Sequence, residues 1–522
     1  MNQAGFPLLS IVIFLPLAGA VVAVLLRRHR TAAKVWTLAV AAADLALAGV
    51  LWGLFDYGYG GMQFVDRLEW IAPLGISYSV GVDGISLWLV LLTALLSLVS
   101  VLASWARSGD LRPSGTRSGD LRPSGSEGGS YAFLLLALET GALGVFCAVD
   151  LVLFFVFWEA MLIPAYLLIG RGGGERRAQA AYKFVLYTMA GSALMLVAII
   201  ALTMLNYQAT GVLTFDRLAL QNTPLAWSAQ IWLFLAFVLA FAVKAPIWPL
   251  HGWMPDAYVE SPAPVTILLA GVLSKMGIYG VIRLCLPLFP SAVEAARPWI
   301  WALAILGILY SALIALVQRD MKRLVAFSSM SHMGLIFAGA MAANTQGVQG
   351  ALVQSVSHGL TVAALFLVVA WLEARRGTRQ VDDLGGLWKS MPLLGTLALT
   401  VMLAAIGLPG LSGFPGEFAM LVGIFRQSPA AAAFAALGLI LGAWYMLSLF
   451  RRAFAGPLHH AENRILPDLR RVEALILVPL VVLVFVLGVL PNLIFRPTDA
   501  AVGQLIDQAE ARLVVKGQEA GK

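Results

Sequence analysis

Six ionisable side chains in this chain stand in strongly apolar surroundings: Glu159, Lys244, Lys275, His332, His358 and Glu417. A lysine at the centre of a membrane helix costs roughly 2.5–3.5 kcal/mol on insertion scales, so such residues mark function by default. Burial moves lysines and carboxylic acids towards neutrality, and a neighbouring opposite charge reverses the shift. A pair such as Glu159 and Lys244 that closes and opens would therefore switch its own proton affinity. Histidine titrates near physiological pH without perturbation. Acids, amines and imidazoles together suit a lateral proton relay in which each group passes a proton through intervening water. The plainer reading is a set of static ion pairs holding helices together. His251 and Asp256 lie just beyond Lys244 and either cap half-helices there or belong to the same path. Trp158, Trp248 and Trp253 read as packing and interface anchors, and Glu139 is a further polar position in an apolar stretch.

The elements that must position these groups are membrane helices. The chain has 522 residues, 60% hydrophobic and 12% charged, with a mean hydropathy of +0.85. Soluble domains carry about 25% charged residues. Since about 20 apolar residues cross a bilayer, the sequence predicts an all-α, polytopic fold of fourteen spans. They lie near 6–26, 34–55, 84–105, 131–149, 151–170, 182–205, 229–250, 262–284, 298–318, 323–343, 348–374, 393–427, 432–455 and 471–495. Pro246 and Pro249 break span 7. Gly407, Pro409, Gly410, Gly413, Pro415 and Gly416 unwind span 12. On the span lengths, the six ionisable groups fall near one depth, on six different helices.

The two broken spans are five apart, and five is odd. Units of spans 4–8 and 9–13 would therefore face opposite ways, and inverted repeats with matching broken helices point to a transport site near the midplane. The expected parts are residues 1–105 (spans 1–3), 106–130 (a loop), 131–284 and 298–455 (the two repeats), 471–495 (span 14) and 496–522 (a polar tail). Within the loop, the segment 107–115 recurs as 117–125 and reads as a flexible tandem duplication. Of the 35 Lys and Arg, 24 fall in alternate loops and 9 in the others and the tails. That bias puts both termini outside. The net charge of +7 follows from topology and does not indicate nucleic-acid binding. Cys147 and Cys285, both in or beside apolar segments, form no disulfide framework or metal spacing.

These residues carry a family resemblance. The runs around Phe157–Pro164, Lys244–Ala257, Leu269–Gly277, Asp320–Gly334 and Gly413–Phe418 resemble the antiporter-like subunits of respiratory complex I, the proton-translocating NADH–quinone oxidoreductase, and subunit M most of all. The resemblance covers nearly the whole chain. It implies fourteen helices with inverted repeats at spans 4–8 and 9–13. It implies a proton path through Glu159, Lys244, Lys275, His332, His358 and Glu417, with the span 5 acid paired to the span 7 lysine. An acid on span 12 is typical of subunit M, where subunits L and N usually carry lysine. Subunit L also has a long C-terminal lateral helix, for which this tail is short. The resemblance further implies a bacterial cell membrane, partners among the other complex I subunits, especially L and N, and redox chemistry held elsewhere: NADH, FMN, Fe–S clusters and quinone in the complex and no cofactor in this chain. The duplicated loop departs from the family pattern but touches no motif. The alternatives are a subunit of a multi-subunit sodium/proton antiporter or membrane-bound hydrogenase, a stand-alone solute carrier, and a scaffold with inert charges.

Overall fold

The structure is a computed structural model. It describes residues 5–106 and 128–520, with side chains described for 5–105 and 128–513. The duplicated segment 107–125 lies outside the described residues. The helices are α1 (Leu8–Leu25), α2 (Arg30–Leu54), α3 (Leu87–Ala106), α4 (Gly128–Cys147), α5 (Leu151–Gly172), α6 (Arg177–Thr210), α7 (Trp227–Lys244), α8 (Ala263–Leu288), α9 (Pro290–Val317), α10 (Met321–Ala340), α11 (Thr345–Arg376), α12 (Pro392–Ala405), α13 (Gly413–Gln427), α14 (Pro429–Ala455), α15 (Arg471–Val489) and α16 (Asn492–Ala520). Among the described residues, 12 helices are long and apolar enough to cross a membrane: α1–α9, α11, α14 and α15. The two other expected spans take different forms. α10 is 20 residues long but carries Lys322, Arg323 and His332 in a serine-rich run. The 393–427 stretch is two helices, α12 and α13, of 14 and 15 residues.

Two features add to the expected helical fold. β1 (Gln63–Ile71) and β2 (Ile76–Val82) form an antiparallel hairpin between α2 and α3. Its polar backbone is met by neighbours on other elements. Ser77 N–H donates to Asp150 at 3.0 Å, Val149 N–H to Ser79 O at 2.9 Å, and Ser10 Oγ to Asp66 at 2.7 Å. The described part of the expected polar tail is helical. Pro491 ends the last span early, and the chain continues as α16, which buries Ile494, Val502, Leu505 and Ile506. That helix packs against α8, α9 and α11. Gln349 donates to Asp499 at 2.5 Å, and Arg512 donates to Pro287 O at 2.5 Å and Asn222 at 3.0 Å.

α8 and α11 form the centre, with 100% and 94% of their apolar windows buried, against 39% for α6, α9 and α14. Small residues let them and their neighbours approach closely, as membrane interfaces favour. A Cβ on Gly359 would lie 2.7 Å from Leu92 and 3.1 Å from Gly271 O, so α8 and α11 cross almost backbone to backbone. A Cβ on Gly277 would lie 2.4 Å from Phe241 O, which presses α8 onto α7. Corresponding caps open α5 and α10. Asp150 accepts from Val152 N and Leu153 N, and Asp320 from Lys322 N and Arg323 N. Asp150 also bridges to Asp216, ahead of α7, and Asp320 to Gln380, ahead of α12.

Candidate functional site

Glu159, Lys244, Lys275 and Glu417 sit at or beside breaks in helical regularity, whereas His332 and His358 lie inside the unbroken helices α10 and α11. Pro164 has no N–H to give Ala160 O, so α5 kinks at Met161, just after Glu159. α7 ends at Lys244 itself, six residues before the expected boundary, because Pro246 and Pro249 cannot continue the ladder. Trp253 Nε1 caps the freed Val243 O at 2.8 Å. In α8 the turns Leu269–Leu273 and Val281–Cys285 are π-helical and flank Lys275. The wider turn lets the Ala270 carbonyl accept from Lys275 Nζ at 2.6 Å, in keeping with the frequent placement of such bulges at functional sites. Between α12 and α13, Gly407 and Gly410 have φ of +69° and +89°. A Cβ on Gly407 would stand 2.1 Å from Glu417 Oε2, so glycine there serves both the turn and the carboxylate.

These helices bring four of the candidates into one line. Lys275, completely buried, has its Nζ 2.6 Å from His358 Nδ1 and 3.3 Å from Ser274 Oγ. An ammonium at Lys275 donates to that ring nitrogen, which leaves the imidazole proton on Nε2. The His358 and His332 rings lie 5.5 Å apart. His332 Nδ1 is 3.4 Å from Glu417 Oε1, which also accepts from Gln354 Nε2 at 2.9 Å. Both Nε2 atoms, of His332 and His358, are buried without a hydrogen-bond partner. The line therefore runs Lys275–His358, His332–Glu417–Gln354, with one short gap between the two imidazoles.

Glu159 and Lys244 are arranged differently. Lys244 Nζ and Glu159 Oε1 are buried with no hydrogen-bond partner, and no ion pair joins them. Instead, Lys244 Nζ stands 5.1 Å from the Trp158 ring centroid and 5.8 Å from that of Phe184. Glu159 is the carboxylate that acts on it electrostatically. His251 leaves Nδ1 unpartnered and packs its ring 5.5 Å from that of Tyr310. Asp256 is committed to a partly exposed ion pair with Lys183 at 2.8 Å.

Sequence reasoning missed several participants. Gln354 lies four residues before His358, on the same helical face, and that spacing was a usable signal. Trp158 and Phe184 are more than packing, since their rings receive the Lys244 ammonium. Asp83 and Arg283 form a buried bidentate pair, with Nη1 to Oδ2 at 2.6 Å, tying the end of the hairpin to α8. Arg375 and Glu473 form a second buried ion pair, through one carboxylate oxygen, joining α11 to α15. Among the described residues, no three His, Cys, Asp or Glu come together as a metal-ligand set.

A family model described as "NADH:quinone oxidoreductase/Mrp antiporter, TM" matches residues 148–442, which spans every candidate residue. The NADH-quinone oxidoreductase subunit M of Rhodobacter capsulatus is 40% identical over 518 residues, covering 97% of this chain and 98% of that protein. A chain of the respiratory complex I structure from Thermus thermophilus with bound NADH is similar at a TM-score of 0.84 and 31% identity, covering 96% and 99% of the two chains. The Mrp complex of Dietzia sp. DQ12-45-1b contains a chain of the same fold, with a TM-score of 0.81 at 23% identity, covering 96% and 97%. With the bilayer-spanning helices and the helix breaks already in place, the relatives fix the assignment: the chain belongs to the family of antiporter-like membrane subunits M of NADH–quinone oxidoreductase, bacterial respiratory complex I.

Proposed function

We propose that this subunit moves protons across the membrane along Glu159, Lys244, Lys275, His358, His332 and Glu417, driven by NADH oxidation and quinone reduction in partner subunits. The observation that carries this reading is the line from Lys275 Nζ, 2.6 Å from His358 Nδ1, to His332 Nδ1, 3.4 Å from Glu417. Its members alternate amine, imidazole, imidazole and carboxylate, so each can accept a proton from one side and release it to the other. Lys244, unpaired and resting on aromatic faces, is the group free to move. Closing on Glu159 stabilises its ammonium; opening releases the proton towards Lys275, through water admitted at the broken backbone.

The inverted-repeat expectation, residues 131–284 against 298–455, is supported by the corresponding Asp caps and bridges at the starts of α5 and α10. In this reading His251 and Asp256 stand at the inner entrance, with both chain termini on the outer side. NADH, FMN, Fe–S clusters and quinone belong to partner subunits. The antiporter-like subunits L and N are neighbours in the bilayer, and this chain contributes translocase chemistry with no redox step of its own. The shared fold with an Mrp chain favours one second reading, a subunit of a sodium/proton antiporter.

The test is Lys244→Ala in bacterial membranes, with assembly verified and NADH–quinone electron transfer and proton pumping measured side by side. Loss of pumping in an assembled complex supports the relay. Pumping and turnover equal to wild type would sink it. NADH-independent sodium/proton exchange by membranes carrying this chain supports the second reading instead.

A further inference from the structure

Away from the line, α2, α3 and α4 carry three polar side chains near their middles: Asp44, Ser97 and Glu139. All are buried, with exposures of 0%, 3% and 1%. Asp44 and Glu139 are side-chain neighbours, and Ser97 is the next polar side chain to Glu139. None of the four carboxyl oxygens receives a hydrogen bond, and Ser97 Oγ and Thr140 Oγ1, beside Glu139, have no partner either. α1 and α3 contribute no titratable side chain along their lengths. The cations on α2, Arg30 and Lys34, lie ten or more residues from Asp44, about 15 Å along the axis at 1.5 Å per residue. Among titratable groups on the packed elements, α4 adds Tyr131 and Cys147, α5 adds Glu159, Tyr166 and Arg171, and α8 adds Lys275, Tyr279, Arg283 and Cys285; none of these cations acts on Asp44 or Glu139.

Two ionised carboxylates side by side in this setting would repel one another, and no cation is placed to offset their desolvation. Both would also be acceptors without a donor. One proton removes both difficulties, because a carboxylic acid donates to the facing carboxylate while Ser97 donates to a remaining lone pair. We infer that Asp44 and Glu139 form a proton-binding site in the N-terminal helices, sharing one proton across α2 and α4, separate from the line built on Glu159, Lys244, Lys275, His332, His358 and Glu417. The two carboxyls titrate as a pair.

The test is infrared difference spectroscopy on the purified, assembled complex, wild type minus Asp44→Asn/Glu139→Gln, in water and in deuterium oxide at neutral pH. Sharing predicts loss of one protonated-carboxyl C=O stretch per chain, shifted by deuterium, together with one carboxylate stretch. Loss of two carboxylate stretches and no protonated carboxyl overturns the proposal in favour of a bound cation, and loss of two protonated carboxyls overturns the sharing. The amides keep the shape of the pair and supply an N–H in place of the proton. Failure of the double variant to assemble therefore also counts against it.

Discussion

The two halves of the candidate path differ in how much is already connected. From Lys275 to Glu417, four groups on four helices are joined by hydrogen bonds, save for one gap between the rings of His358 and His332. At Glu159 and Lys244, nothing is joined: both have buried polar atoms without partners, and aromatic rings hold the ammonium. The connected half rests largely on three enclosed helices, α8, α10 and α11, with glycines fixing the crossing of α8 and α11. The unconnected half rests on a kinked helix and a helix end. A path in which both halves were fully bonded would pass protons without control. In the proposed relay this contrast would make Lys244 the switch and the groups beyond it the conducting portion.

The strongest way to break the contrast is Lys275→Met. It removes the donor to Ala270 O and to His358 Nδ1, isolates the imidazoles, and is expected to lower proton pumping by about a hundredfold or more, the low end of the 10²–10⁴ that general acid–base groups contribute. Pumping per NADH oxidised in inverted vesicles measures it. Gly407→Ala comes next. Its Cβ would invade the Glu417 carboxylate, and left-handed φ costs a residue with a side chain roughly 1–2 kcal/mol. Pumping is expected to fall about tenfold, with the assembled complex less heat-stable. Trp158→Leu sharpens the other side. Losing a buried ring from Lys244 removes a contact worth about 2 kcal/mol, and a several-fold change in pumping with assembly intact is expected; an unchanged rate would mean the ring does not hold the ammonium. Asp256→Asn should have the smallest effect, within about twofold, because an exposed ion pair is worth about 0–1 kcal/mol.

Much of this was legible in the sequence, for identifiable reasons. Lys244 stands out because charge in an apolar run is rare and expensive, and Pro246 and Pro249 declare the helix end beside it. Gly407 and Gly410 announce an unwound segment by composition alone. The pairing of partners was not legible. Lys275 reaches His358 only because Gly271 and Gly359 bring α8 and α11 together, and that contact joins residues far apart in the chain. The Asp44–Glu139 pair was half visible, with Glu139 singled out and Asp44 passed over, since a lone acid shows its partner only after packing. The hairpin was missed because β1 is largely exposed along its outer part and lacks a clean alternation of polar and apolar residues. The helix at 492–520 was missed because its apolar face is too narrow for a span, though wide enough to pack.

That last helix also bears on the order in which the chain is made. It touches Asn222, in the part expected to form the first repeat, Pro287, just past its end, and Gln349, in the second. Synthesis runs from the N-terminus and parts fold as they emerge, so both bundles are inserted before the element that touches them both exists. A stop codon ahead of Asn492 deletes every one of those contacts together, while leaving each candidate residue of the path in the chain.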